Sequence, residues 1–229
     1  MLNRFFLDTP FEKGAELTLG GDEFHHAVRV HRTKVGEEVE LFDGKGRGAV
    51  ASVRAIDRSV MLLEVLREIV EPRDPKIELE IALALIQPEK FELVLQKATE
   101  LGAASFVPLI TERTEVRAER VAGKRERWEK ILLEAAKQSG RLAIPRLSSA
   151  EPLETALARP GVNVILDPAG APAHGRAESV RVFVGPEGGW SDEEISRAAA
   201  MGAASLSLGP LRLRAETAAI AAAALVLRA

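Results

Sequence analysis

Residues 182–217 read VFVGPEGGWSDEEISRAAAMGAASLSLGPLRLRAET, and within this span two apolar runs each end at a glycine and give way to a helix. The first run, 181–184, stops at Gly185-Pro186-Glu187-Gly188-Gly189, after which Ser191 and Glu194, three residues apart, form a capping box that starts a helix. The second run, 204–208, stops at Gly209-Pro210 and leads into Leu-Arg-Leu-Arg-Ala-Glu-Thr. Strand, glycine turn and helix in succession, twice over, describe a parallel α/β arrangement, and in open α/β sheets ligands collect where strand carboxyl ends meet such turns. The active site is therefore expected here. Glycines let backbone approach a ligand, and a helix N-terminus favours negative groups by roughly 0.3–1 kcal/mol when exposed. A tight turn alone needs fewer glycines than this one carries.

The flanking sequence extends the same architecture. Residues 77–86 have the length and apolarity of a buried strand, and Pro88 sits where the first turn of a helix tolerates it. Phe91, Val94, Leu95, Ala98 and Leu101 share one helical face, Gly102 ends the helix, and 105–110 reads as the next strand, completing a βαβ unit. Lys97 and Glu100 form a surface pair on its polar side. A helix over 152–158 leads to a strand over 162–166 that ends at Asp167-Pro168. The loop at 170–177 is small and irregular, and its His174 reads as exposed surface. The final helix, 215–229, is nearly all Ala and Leu and predicts burial against another helix, of this chain or of a second subunit.

The first 70 residues alternate in a different way. Strands over 16–19, 38–42, 48–55 and 60–68 predict a small β-barrel, interrupted by one short helix from Asp22 as N-cap to Arg32. Phe24, Ala27, Val28 and His31 take its buried face; His25, Arg29 and Arg32 fall opposite. The three histidines make no metal site, because neighbouring side chains diverge on a helix and no carboxylate or cysteine stands at ligand spacing. Glu71-Pro72-Arg73-Asp74-Pro75 is a charged connector, so the domains are 1–70 and 76–229 with a linker at 71–75.

Composition bounds the function. With 46% hydrophobic and 28% charged residues the balance is that of a globular chain, and the absence of a long apolar run or charged-then-apolar leader predicts a cytoplasmic protein without a membrane partner. No cysteine is present, which removes disulfides, thiolate metal sites and any methyl transfer that begins with cysteine attack on a pyrimidine ring. The net charge of −3 offers no global attraction to nucleic acid, but residues 111–146 hold ten Lys or Arg against six Glu. No P-loop and no G-x-S-x-G elbow occurs.

Read together, GPEGGWSDEEI at 185–195 and LGPLRLRAET at 208–217 resemble the paired signatures of the knotted SPOUT methyltransferases that methylate N3 of a uridine in small-subunit ribosomal RNA. QKATELG at 96–102, EAAKQSGR at 134–141 and HHAVRVHRTKVGEEVELFDGKG at 25–46 carry the resemblance along nearly the whole chain. It implies a PUA-like RNA-binding β-barrel followed by a SPOUT α/β domain with a trefoil knot, acting as a homodimer on 16S rRNA in the small ribosomal subunit. S-adenosyl-L-methionine is the implied cofactor, with no metal. Its implied wall is Leu166, Gly185, Pro186, Glu187, Gly188, Gly189, Leu208, Gly209, Leu211, Arg212, Leu213 and Ala218. Arg214, Glu216 and Thr217 are implied to face the point of transfer, with Glu216 or Glu187 accepting a proton. RNA contacts are implied for Arg4, Arg29, Arg32, Lys34, Arg113, Arg117, Glu134, Gln138 and Arg141, where residue pattern alone gives a solvated face. Two other expectations stay open: a SPOUT methyltransferase acting on another RNA atom, and a non-catalytic RNA-binding factor of the same fold.

Overall fold

A computed structural model describes residues 2–70, 74–114, 116, 121, 123–171 and 178–227. By internal contacts the chain divides into a first unit, Met1–Asp74 with Ala136–Ile144, and a second unit, Pro75–Ala135 with Pro145–Ala229.

Five strands build the first unit: β1 (Asn3–Phe6), β2 (Glu16–Leu19), β3 (Glu38–Phe42), β4 (Gly48–Ile56) and β5 (Met61–Ile69), in the order β1-β3-β4-β5-β2. β1 pairs with β3 in parallel and the others are antiparallel. β1 is not among the strands that the sequence predicts. Four residues are too few to show a period of two, although Phe5 is wholly buried among Leu19, Phe24, Leu41, Met61 and Leu63.

The short helix departs from its expected form. It begins as α1 (Gly21–His25) with Gly20 rather than Asp22 at the N-cap, and continues as a π-turn over His26–Val30, closed by the His31 N–H donating to the His26 carbonyl at 3.1 Å. One extra residue in a turn rotates the downstream side chains by roughly 100°. Phe24 and Ala27 keep the buried face, whereas His31 is exposed. Arg32 then takes a left-handed φ of 52°.

In the second unit a parallel sheet runs β12-β10-β11-β6-β7-β8, from β6 (Glu78–Ala84), β7 (Ser105–Ile110), β8 (Arg146–Leu147), β10 (Val162–Ala171), β11 (Ser179–Val184) and β12 (Ala204–Leu206); β9 (Glu151–Pro152) also pairs with β7. Each is parallel to its neighbour, the pattern that helical crossovers produce. The helices are α2 (Pro88–Leu101), α3 (Arg125–Ser139), α4 (Leu153–Leu157), α5 (Asp192–Ala200) and α6 (Ala215–Leu227). α2 starts with Pro88 and ends at Gly102 in a left-handed conformation, φ 115°. Lys97 donates to Glu100 at 2.9 Å. Trp128 of α3 stacks on Phe91 of α2, ring centroids 4.4 Å apart. α6 packs against α2, so its buried Ala215, Ala219, Ala222 and Ala223 meet a helix of their own chain.

β10 is longer than expected. It passes Asp167-Pro168 and pairs again with β12 at Ala171 after a register shift, because the irregular stretch 167–170 bulges out of the ladder instead of ending it.

Candidate functional site

β10, β11 and β12 deliver their carboxyl ends to one cavity of about 850 Å³, within the range of small-molecule sites. Its wall brings together Leu166, Gly185, Pro186, Glu187, Gly188, Gly189, Leu208, Gly209, Leu211, Arg212, Leu213, Arg214 and Ala218. Asp167, Trp190, Asp192, Ile195 and Ser196 also line it, as does Arg113. None of these six belongs to the expected cofactor wall. For Trp190, Asp192 and Ile195 a signal exists, since all three lie inside the quoted motif.

The glycine turn is held by chemistry that explains its sequence. Gly189 has φ 72°, open only to residues without a β-carbon at little cost. A β-carbon on Gly185 would lie 3.1 Å from the Trp190 ring, which is pinned by its Nε1–H donating to the Leu166 carbonyl at 2.9 Å. The expected capping box is present: Glu194 N–H donates to Ser191 Oγ at 3.2 Å, and Ser191 N–H to Glu194 Oε2 at 2.9 Å. Glu194 Oε1 accepts a further 2.9 Å bond from the Glu112 N–H, tying the loop after β7 to the same helix start.

Charged groups divide sharply by position. Arg212 and Arg214 are exposed on the cavity wall, and no ion pair or hydrogen bond engages either side chain among the described residues. Glu187 is exposed there too, with Lys90 Nζ donating to its Oε1 at 3.0 Å. Glu216 is different: it is buried, its Oε2 has no partner among the described residues, and it is not part of the cavity wall. Thr217 is exposed and also outside the wall. Of Arg214, Glu216 and Thr217, only Arg214 lines the cavity.

The expected RNA contacts separate as well. Arg29, Arg32, Lys34, Glu134 and Gln138 are exposed, and Arg117 lies outside the described residues. Arg4 and Arg141 are engaged by the fold. Arg4 donates to Glu40 at 2.5 Å and to the carbonyls of Ala136, Lys137 and Arg141 at 3.2, 2.9 and 2.7 Å, closing the C-terminal end of α3 where a cation is favoured. Arg141 is buried and bonded to Asp74 at 2.6 Å. Arg113 is exposed, and its Nη1 donates to the carbonyls of Gly188 and Trp190, at 3.1 and 2.9 Å.

Much of the positive excess of 111–146 is neutralised from outside the segment, since Arg127, Lys137 and Arg146 pair with Glu92, Glu23 and Glu78. Lys137 also stands 3.2 Å from His26 Nδ1, and His26 meets the His31 ring at 4.7 Å. Partial desolvation, with His26 and Lys137 nearby, holds His31 below its ordinary pKa against the opposing pull of Glu23. Among the described residues no cluster of three or more His, Cys, Asp or Glu has the makings of a metal site, and no helix is long and apolar enough to cross a membrane.

Known proteins share these features. Residues 72–227 match the family model of the RNA methyltransferase domain, and residues 19–66 that of the RNA methyltransferase PUA domain. Ribosomal RNA small subunit methyltransferase E of Mycobacterium tuberculosis is 34% identical over 233 residues, covering 95% of this chain and 88% of the relative. The crystal structure of ribosomal RNA small subunit methyltransferase E from Neisseria gonorrhoeae bound to S-adenosyl methionine superposes with a TM-score of 0.91 at 28% identity, covering 98% of this chain and 96% of that one. A putative methyltransferase from Legionella pneumophila in complex with the cofactor SAM gives a TM-score of 0.89 at 32% identity, covering 99% and 97%.

Proposed function

This chain belongs to the ribosomal RNA small subunit methyltransferase E family, and we propose that it transfers a methyl group from S-adenosyl-L-methionine to N3 of a uridine in 16S rRNA of the small ribosomal subunit. Its N-terminal part is a PUA-like domain and its C-terminal part a parallel-sheet methyltransferase domain. The finer reading adds a closed barrel and a trefoil knot. In support of the knot, β12 lies at the sheet edge beside β10, yet the chain after it returns to α6, which packs on α2, β6 and β11.

The residues present fit the cofactor. Backbone of two glycine turns and the side chains of Leu166, Val184, Leu206 and Leu208 offer an apolar bed, while Asp167 can meet an amine or hydroxyl and Arg212 a carboxylate. When bound, the cofactor supplies a methyl group on a sulfonium, released as a neutral thioether as the new N–C bond forms. The chain must then orient N3 and remove its proton, and orientation alone can contribute up to roughly 7–11 kcal/mol. N3 lies on the Watson–Crick edge, so the uridine is taken unpaired or splayed out. As the proton leaves, negative charge spreads over the uracil oxygens, and Arg214 stands on the wall with its guanidinium uncommitted among the described residues. Glu187 is the carboxylate of the expected pair that reaches the cavity, so it takes the proton; Glu216 stays in the interior.

The observation that carries this reading is one cavity formed from both glycine turns with an uncommitted Arg214 on its wall. Labelled cofactor, the purified protein and small subunits from cells lacking the methyl group form the test, with the modified nucleoside mapped. A label at any atom other than uridine N3 refutes the position, and no label refutes the activity. We assign the protein to the cytoplasm and to a homodimer, whose seam is supported by the face of α6 turned from α2, where Thr217 and Leu225 are exposed and Ala221 half-buried. A fully active monomer in sedimentation would remove the dimer.

A further inference from the structure

Arg113 stands on the loop after β7, exposed, where the family resemblance implies an RNA contact. Its bonds say otherwise. The Gly188–Gly189 peptide is held at both ends, its carbonyl by Arg113 Nη1 at 3.1 Å and its N–H by the Pro186 carbonyl at 2.9 Å. The Trp190–Ser191 peptide is likewise held at both ends, its carbonyl by the same Nη1 at 2.9 Å and its N–H by Glu194 Oε2 at 2.9 Å. Two fixed peptide planes within residues 188–191 leave the N–H groups of Glu187, Gly188 and Trp190 as donors of the turn without a partner among the described residues, and all three residues line the cavity. The arginine stem is part of the same fit, since a β-carbon on Gly188 would lie 3.3 Å from Arg113 Cβ. Glycine at 188 thus makes room for Arg113.

We infer that Arg113 is a positioning residue for the cofactor: it locks alternate peptides of the 186–190 turn so that the remaining amides are aimed at the ligand before it arrives. The inference rests on the cofactor reading above. Preorganised donors spare a ligand the cost of ordering them, so the effect falls on binding. A phosphate contact would behave differently, weakening RNA binding and reducing its salt dependence.

Calorimetry with S-adenosyl-L-methionine on the full chain separates the two. Arg113→Met keeps the stem and removes the donors; we expect cofactor affinity to fall about 10- to 100-fold, as for two lost charge-assisted bonds in an exposed setting. RNA affinity and its salt slope should stay unchanged, the apo melting temperature should move little, and the rate at saturating cofactor should fall less than about threefold. Arg113→Lys should recover part of the affinity, since a point charge reaches both carbonyls without the planar fork. Unchanged cofactor affinity in Arg113→Met overturns the inference, whether or not the salt slope drops by about 0.7–0.9. A lower apo melting temperature with both affinities reduced also overturns it, marking a general folding defect. Wild-type protein that binds no cofactor would instead sink the function on which it rests.

Discussion

The 136–144 segment of the first unit and the 208–214 segment of the second both place an arginine beyond a glycine corner, Arg141 after Gly140 and Arg214 after Gly209. In the first, Arg141 is buried against Asp74, whose second oxygen accepts from the N–H groups of Leu142 and Ala143 at 3.3 and 3.2 Å. In the second, Arg214 is exposed on a cavity wall and its side chain has no hydrogen-bond or ion-pair partner among the described residues. The difference teaches where to look for chemistry: a cation whose donors are used by the fold supports structure, and one left free beside a cavity is available to a substrate.

The comparison breaks most visibly at Arg214. Arg214→Ala should fold and bind cofactor with near-normal affinity yet lose about 10²–10³ in single-turnover methylation rate, the usual loss on removing one donor that stabilises developing charge. Arg214→Lys should recover only part. A loss below roughly threefold at saturating cofactor and RNA would return Arg214 to the scaffold.

Arg141→Ala should do the reverse. Removing it strands the partly buried Asp74 carboxylate, and we expect about 2–3 kcal/mol lost from unfolding free energy in urea, with methylation by the folded fraction close to normal. Unaltered stability accompanied by weaker RNA binding would restore the RNA-contact reading of this residue.

These contrasts also separate the legible parts of the sequence from the rest. The place of the cavity follows from local chemistry, glycines at a turn, a capping box and apolar runs that end together, whereas its individual wall residues come from the family resemblance. The role of Arg4 is not legible, because the carbonyls it closes belong to residues 132 to 137 positions further along the chain. The π-turn at His26–Val30 is hidden for another reason, since an inserted residue leaves the apolar spacing of Phe24 and Ala27 intact and shows only downstream, at His31. Glu216 stands in the same motif as Arg214, and two positions further along, inside the first turn of α6, its side chain is turned inward.

The exposed cations of the first unit sharpen the comparison on a smaller scale. Arg29, Arg32 and Lys34 changed together to Ala should weaken RNA binding while leaving cofactor affinity as it was, and the log–log salt slope should fall by about 0.7–0.9 for each phosphate contact removed. An unchanged slope would mark them as a solvated face.

The smallest effect concerns a carboxylate of the same unit that, like Arg141, is wholly committed to the fold. Asp43 is buried; its Oδ1 accepts from the N–H groups of Lys45 and Arg47 at 2.8 and 3.0 Å, and its Oδ2 from Arg47 Nε at 2.8 Å. Burial alone would raise its pKa, but the two backbone bonds and the Arg47 side chain outweigh it and hold the carboxyl below the ordinary aspartate range. The folded state therefore binds the proton less readily than the unfolded chain. Its contribution is complete above the unfolded pKa and is lost as pH falls through the lower folded value. Asp43→Asn keeps the shape and one acceptor, so at neutral pH it should cost only about 0.5–1.5 kcal/mol. That deficit against wild type should shrink as the pH drops below about 4, where the unfolded wild-type carboxyl takes up its proton. A deficit independent of pH from about 7 to about 2 would show that packing in the 43–47 turn, and not the charge on Asp43, is disturbed by the substitution.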